Sequence, residues 1–242
     1  MVYSSKQNPL IKEIASLKDK KHRNALGLYI AEGVKMVNEA IENGIEIKYV
    51  VTTETALPLI KPTSVETLVV TDSILEYLSE EMTPQGALAV IKIPNQEVKK
   101  PNGNAIILDG VSNPGNVGTI IRTANAFGYK DIYLINCADA YSGKTVRSSM
   151  SGIYFVNLYK TTYSEIKSVL NGYKIIVADM SGESLDEFKV DGNFAIVVGN
   201  EGNGISKEMF EMADKVVKIP MDEHAESLNV AVASSIMMYK LR

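Results

Sequence analysis

Only one cysteine, Cys137, and two histidines, His22 and His224, occur in 242 residues, and tryptophan is missing altogether. One thiol cannot form an intrachain disulfide, and without a CxxC pair or a Cys/His cluster no metal site is expected. The chain has no GxSxG elbow, which leaves a Ser/His hydrolase little to stand on. It also lacks any run of eighteen apolar residues, and "MVYSSKQNPL" has no apolar signal-peptide core. These absences lead us to expect a cytoplasmic protein with no membrane span and no metal. What is present, 45 % hydrophobic and 22 % charged residues, describes an ordinary globular chain of one or two domains.

The net charge of −4 argues mildly against a coat for nucleic acid, but charge is unevenly spread. Residues 1–31 hold six cations against two carboxylates. Among them Lys18, Lys20, Lys21 and Arg23 are candidates to track phosphates, although the solvated face of a helix explains them equally well. Helix-like and strand-like runs alternate over 1–94, a compact α/β unit. "PNQEVKKPNGN" then breaks every periodicity, so 95–104 reads as a linker. Beyond it, continuous apolar runs ("AIILD", "DIYLIN", "YFVNLY", "YKIIVAD", "FAIVVG", "KVVKIP") predict a mostly parallel sheet covered on both faces over 105–242.

Three segments carry chemistry. In "NPGNVGTIIRTANAFG" the apolar stripe Val117, Ile120, Ile121, Ala124 predicts a helix over 116–127, ended by Gly128. Arg122 points about 150° away from that stripe, and it follows Gly118 by one turn, where a long side chain or a ligand finds room. Asn116 lies near the helix start, beside free N–H groups that favour anions. "FAIVVGNEGNGIS" runs a buried strand into Gly199, Gly202 and Gly204 around Glu201, with Ser206 as N-cap of a following helix. Its glycine order is GxxGxG, not the dinucleotide fingerprint. The third segment, "VVKIPMDEHAESLNVAVASSIMMYKL", predicts a helix from about Ser227 that is apolar nearly all round. Such a helix would be covered by its own sheet and by a second copy of the chain, hence a homodimer, or else lie at the centre of a monomer's core.

Asn116-x-Gly118-x-x-x-Arg122, Gly199-x-Glu201-x-x-Gly204, and Ile219-Pro220-Met221 followed by Ser227-Leu228-Asn229 together resemble the three motifs of the SpoU (TrmH-type) branch of the SPOUT RNA methyltransferases. The first ninety or so residues, with "TPQG" at 83–86, resemble the L30e-like substrate-binding domain found ahead of many such catalytic domains. The resemblance implies an α/β fold: an L30e-like domain over 1–94, then a SpoU domain over 105–242 with a deep trefoil knot, an exception to the rule that chains do not thread loops. It implies S-adenosylmethionine as cofactor, held by Gly199, Ile219 and Leu228 with Asp179, Met221 and Asn229 nearby. It further implies methyl transfer to a ribose 2′-hydroxyl, centred on Arg122, with Asn116, Glu201, Ser227 and Asn229 positioning it and some of them acting across the dimer. A guanidinium is too weakly acidic to be an ordinary base, so stabilising the developing alkoxide is the safer role for Arg122. The expected substrate is ribosomal RNA, with transfer RNA as the alternative.

Two departures from the family pattern stand out. Glu223 occupies a position where the family usually has Gly, and "VRSSMSG" carries its Gly one place late. Rival readings are a P-loop hydrolase built on "ADAYSGKT" with Lys144, and an RNA- or ribosome-binding module that holds cofactor without turnover.

Overall fold

The computed structural model describes residues 2–242, which form two compact units. The first comprises residues up to Asn95 together with Tyr141–Tyr154, and the second Gln96–Ala140 with Phe155–Arg242.

In the first unit a five-stranded mixed sheet has the order β1 (Val2–Tyr3), β4 (Thr67–Val70), β3 (Ile47–Thr53), β5 (Ala87–Lys92), β2 (Leu28–Glu32). Helix α1 (Pro9–Ser16) starts where Asn8 accepts from the Leu10 and Ile11 amides and Pro9 takes the first turn. Its Ile11 and Ile14, with Leu17 just beyond, pack on Leu68, Val70, Leu88 and Val90 of the sheet and on α4 (Asp72–Leu78). After α2 (Lys20–Leu26) and α3 (Val34–Glu42), the remaining helix of this unit is α6 (Gly143–Ser149), supplied by a late excursion of the chain. It is fastened there by Tyr141 against Tyr29 (centroids 5.0 Å), Arg147 to Glu81 (3.7 Å), and the Tyr154 hydroxyl donating to the Met36 carbonyl. This segment falls within 105–242, so the boundary read from sequence does not follow the packing.

The second unit holds six parallel strands in the order β11 (Lys215–Lys218), β9 (Lys174–Ser184), β10 (Phe194–Val198), β6 (Ala105–Asp109), β7 (Asp131–Ile135), β8 (Asn157–Lys160). Alternate strand residues Ile107, Tyr133, Val177 and Val197 meet Ile166 and Leu170 of α7 (Tyr163–Val169) and its end, and Met209 of α8 (Lys207–Glu211). Helices α5 (Pro114–Phe127) and α9 (Val230–Lys240) pack on each other, where Ser235 Oγ donates to Thr123 Oγ1. The segment read as a linker is bound to this unit from Gln96 onward. Val98 packs on the core, and Tyr133 and Tyr173 donate their hydroxyls to the Lys99 and Pro101 carbonyls. "YFVNLY" is only partly strand, because residues 150–155 form a 3₁₀ turn.

Candidate active site

In a parallel α/β sheet, ligands gather at the carboxyl ends of the strands, and here β9, β10 and β11 end together. β11 pairs with β9 in two registers: Val216 faces Val177, but the next residue, Val217, faces Glu183. Residues 178–182 therefore bulge out of the ladder. Gly182 makes this possible, because a Cβ there would overlap the backbone of Val216 and Val217. The bulge is closed by the Asp179 carboxylate, which accepts from the Ser181 amide (3.0 Å) and hydroxyl (2.7 Å). Opposite it, β10 runs into the glycine-rich turn. A Cβ on Gly199 would collide with Gly204 and Ile205, so the turn folds flat on itself. Asn200 locks it, accepting from the Gly202 and Asn203 amides and donating to the Gly110 carbonyl (2.8 Å).

Between bulge and turn lies a cavity of about 340 Å³, within the range of small-ligand pockets. Asp179, Gly199, Ile219, Met221, Leu228 and Asn229, the six candidate cofactor residues, all line it. So do Glu201 and Ser227. Asn116 adjoins it through a chain of side-chain hydrogen bonds with a fixed direction. Glu201 Oε1 accepts from Asn116 Nδ2 (2.9 Å), Asn116 Oδ1 accepts from Asn229 Nδ2 (3.1 Å), and Asn229 Oδ1 accepts from the Ala231 and Val232 amides. Asn229 is thus the N-cap of α9, which starts at Val230 rather than Ser227 and leaves Ser227 and Leu228 in the loop.

The Glu201 carboxylate also accepts from the Ser112 amide and hydroxyl and the Asn113 amide, at 2.9 to 3.1 Å. Partial desolvation pushes its pKa up, but hydrogen bonds from Asn116 and from the backbone of Ser112, Glu201 itself and Asn113 outweigh that and hold it at about 2. With four donors on its two oxygens it ties the Ser112–Asn113 loop to the Asn116 amide. Asp109, buried at the end of β6, ties down the far side of the turn by accepting from Tyr163 Oη (2.8 Å) and the Ser206 amide (2.7 Å).

Arg122 stands apart. It is exposed on α5, outside the cavity lining, and six residues of helix turn it about 120° from Asn116. Of the four cations read as RNA contacts, Lys20 and Lys21 are exposed. Arg23 is corrected: it is 5 % exposed, and Nη1 donates to the Leu17 and Lys18 carbonyls, 2.8 Å each. It serves the turn after α1 and is not free to meet phosphate. Lys18 donates to the Tyr77 and Ser79 carbonyls at the end of α4, which makes it a cap for that helix. Sequence reasoning passed over Ser112, Asn113, Asn200, Asp109 and Gly182. The P-loop reading fails because "ADAYSGKT" starts α6 on Ser142, and the Glu80 carboxylate lies against Gly143, where a phosphate would need to be. Among the described residues no group of three or more His, Cys, Asp or Glu is placed to hold a metal ion.

A parallel sheet with a cavity at its carboxyl edge, walled by a glycine-rich turn and an amide-bearing helix start, defines an α/β protein with a small-ligand site. Residues 103–239 match the SpoU rRNA Methylase family, and residues 8–89 match the MRM3-like substrate binding domain. The chain belongs to the SpoU rRNA methylase family. It is 32 % identical, over 98 % of both chains, to the 23S rRNA (guanosine(2553)-2′-O)-methyltransferase RlmP of Bacillus subtilis strain 168. An AdoMet-bound rRNA methyltransferase from Sinorhizobium meliloti superposes with a TM-score of 0.89 at 25 % identity, covering 99 % of this chain and 96 % of that one. A solved RNA 2′-O ribose methyltransferase does so with a TM-score of 0.84 at 26 % identity, covering 99 % and 97 %.

Proposed function

We propose that the protein transfers a methyl group from S-adenosylmethionine to a ribose 2′-hydroxyl of ribosomal RNA, working in the cytoplasm as a homodimer. The observation that carries this reading is the Glu201–Asn116–Asn229 chain standing against the cavity. The cavity suits the cofactor. Met180, Ile219, Met221 and Leu228 offer apolar walls to an adenosine, and Asp179 and Glu201 offer negative charge to a ligand with a sulfonium and an ammonium. Gly199, Ile219 and Leu228 would hold it largely through backbone groups, and the turn at Gly199 leaves no room for a side chain.

When bound, the cofactor would supply an electrophilic methyl on sulfur: the S–C bond breaks as the new O–C bond forms, the neutral thioether S-adenosylhomocysteine leaves, and the acceptor hydroxyl must shed its proton. Glu201 has its lone pairs filled and does not take that proton, which passes to a substrate phosphate oxygen or to water. Asn116 and Asn229, each with one orientation fixed by its neighbours, set the ribose. Arg122 stabilises the developing alkoxide and the adjacent phosphate. Arg122 is exposed and outside its own chain's cavity lining, and in the proposed homodimer it would serve the partner's cavity. Val232, Ile236 and Tyr239, 48, 37 and 57 % exposed, form a stripe along α9 that a second copy would cover. Lys20 and Lys21 contact RNA from the first unit. The trefoil knot implied by the family belongs to the same reading. No helix of the described residues is long and apolar enough to cross a membrane.

The test is transfer of labelled methyl to unmodified ribosomal RNA, followed by alkaline hydrolysis. An alkali-resistant labelled dinucleotide is expected. Arg122→Ala should lower the rate by roughly 10²–10⁴-fold and leave S-adenosylmethionine affinity intact, whereas equal loss of cofactor binding would remove Arg122 from this role.

A further inference from the structure

A second concave site lies at the other end of the parallel sheet. It has a volume of about 380 Å³ and forms where β7 and β8 begin, at Asp131 and Asn157, beside the chain from Gln96 to Asn102. Strands of this length, rising about 3.3 Å per residue, put roughly 15 Å between this edge and the catalytic one. The two cavities are therefore separate sites.

Its floor is a hydrogen-bonded network in which one buried atom, Gln96 Oε1, is left without a partner among the described residues. Asp131 is buried and accepts from the Asn102 amide (3.0 Å), Asn157 Nδ2 (2.9 Å) and Tyr159 Oη (3.3 Å), while Asn157 Oδ1 accepts from Gln96 Nε2 (3.1 Å). Neutral donors already satisfy this carboxylate, so it does not call for a cation. Three lysines line the same cavity, Lys99, Lys100 and Lys130. Among the described residues none of them has a carboxylate within 4.0 Å. Two are held in place by neutral groups: Lys100 donates to the Asn171 carbonyl (2.9 Å) and lies over the Tyr173 ring, and Lys130 donates to Asn125 Oδ1 (2.9 Å). An ammonium has three donors, so each of these keeps two to offer.

In a chain of net charge −4, three ammoniums without a carboxylate partner around one satisfied carboxylate make a local positive concavity that concentrates anions. Lysine acts there as a point charge suited to phosphate. We propose that this pocket binds a backbone phosphate of the substrate RNA, outside the nucleotide that is methylated. The proposal rests on the RNA-methyltransferase reading above, which supplies the polyanion. The exposed, long-stemmed lysines suit a passing phosphodiester better than an enclosed small ligand.

The test uses the full chain with Lys99→Ala and Lys130→Ala combined, and Lys189→Ala as a control that removes an exposed lysine outside the pocket. RNA affinity is measured across a salt series, alongside methyl-transfer KM and kcat. The pocket variant is expected to bind RNA about tenfold more weakly, with the salt slope reduced by about 0.7 for each phosphate no longer neutralised. The kcat at saturating RNA and the cofactor affinity should stay unchanged, as should every quantity in the control. An unchanged slope and unchanged KM would overturn the proposal. So would an unchanged slope accompanied by thermal stabilisation from inorganic phosphate in the parent but not the variant, since the pocket would then serve a small phosphate ligand. A parent that transfers no methyl yet shows the pocket-dependent slope would sink the activity reading and leave the phosphate site standing.

Discussion

Glu201 stays ionised in a site whose chemistry needs a proton removed, yet its hydrogen bonds make it a poor acceptor. Its folded pKa of about 2 lies below the ordinary glutamate value of about 4.3. The stability it contributes is therefore present in full above about 4.3 and is lost as pH falls through about 2. A pH–rate profile should accordingly show no inflection from Glu201 between pH 5 and 9. Glu201→Gln keeps the shape but turns an NH₂ toward donors at Ser112, Asn113 or Asn116. We expect about a 10²-fold loss of kcat from the displaced amides, without any shift in the profile. An acid limb in the parent that vanishes in the variant would make Glu201 the base after all. Arg23 makes a parallel case outside the site. Its guanidinium is buried on two carbonyls, and charge-assisted bonds of this kind are worth about 1.5–3 kcal/mol each. Arg23→Ala should cost roughly 3–6 kcal/mol in urea unfolding, whereas Lys20→Ala and Lys21→Ala should stay within about 0.5 kcal/mol and weaken RNA binding alone.

At the scale of elements, α9 presents Val232, Ile236 and Tyr239 at i, i+4 and i+7, and Arg242 stacks over Tyr239 and Phe127 at its end. If a second copy covers this stripe and Arg122 acts across it, Val232→Asp with Ile236→Asp should give a monomer in sedimentation. That monomer should still bind cofactor, since the lining comes from one chain, yet transfer no methyl. A dimeric variant, or an active monomer, would refute the arrangement. The elements legible beforehand are those set by local chemistry. The apolar stripe of α5, its Gly128 stop at φ +83° and the Ser206 cap of α8 stand as the sequence read them. Those that were not legible depend on distant partners. Residues 178–182 bulge because β11 changes register beside them. Residues 150–155 leave the strand pattern for a 3₁₀ turn, and α6 packs on the first unit. The site divides the same way. Gly199 and Glu201 announce themselves in a glycine-rich turn. Asn200 and Ser112 look like ordinary loop residues until the fold brings Ser112 to Glu201 and Asn200 to the Gly110 carbonyl.

For the whole molecule, the chain passes between the two units three times, near residues 95, 140 and 154. The middle excursion gives the first unit a helix that the second unit's strand order does not need. Tyr141, Val146 and Tyr154 are thus committed to surfaces that residues 1–95 provide, among them Tyr29 and Met36. A chain reduced to 96–242 keeps the six strands, both cavities and the helices that cover them, so it should still bind S-adenosylmethionine. Residues 141–154 would lose their packing, their apolar side chains would face water, and the local opening free energy would fall toward zero. Limited proteolysis should then cut the shortened chain within 141–154 while the full chain resists there, and RNA affinity should drop with the loss of Lys20 and Lys21. Equal protection of that segment in both chains would mean that the second unit holds it, contrary to its packing on Tyr29, Glu81 and Met36. Loss of cofactor binding on shortening would mean that the catalytic cavity depends on residues outside 96–242.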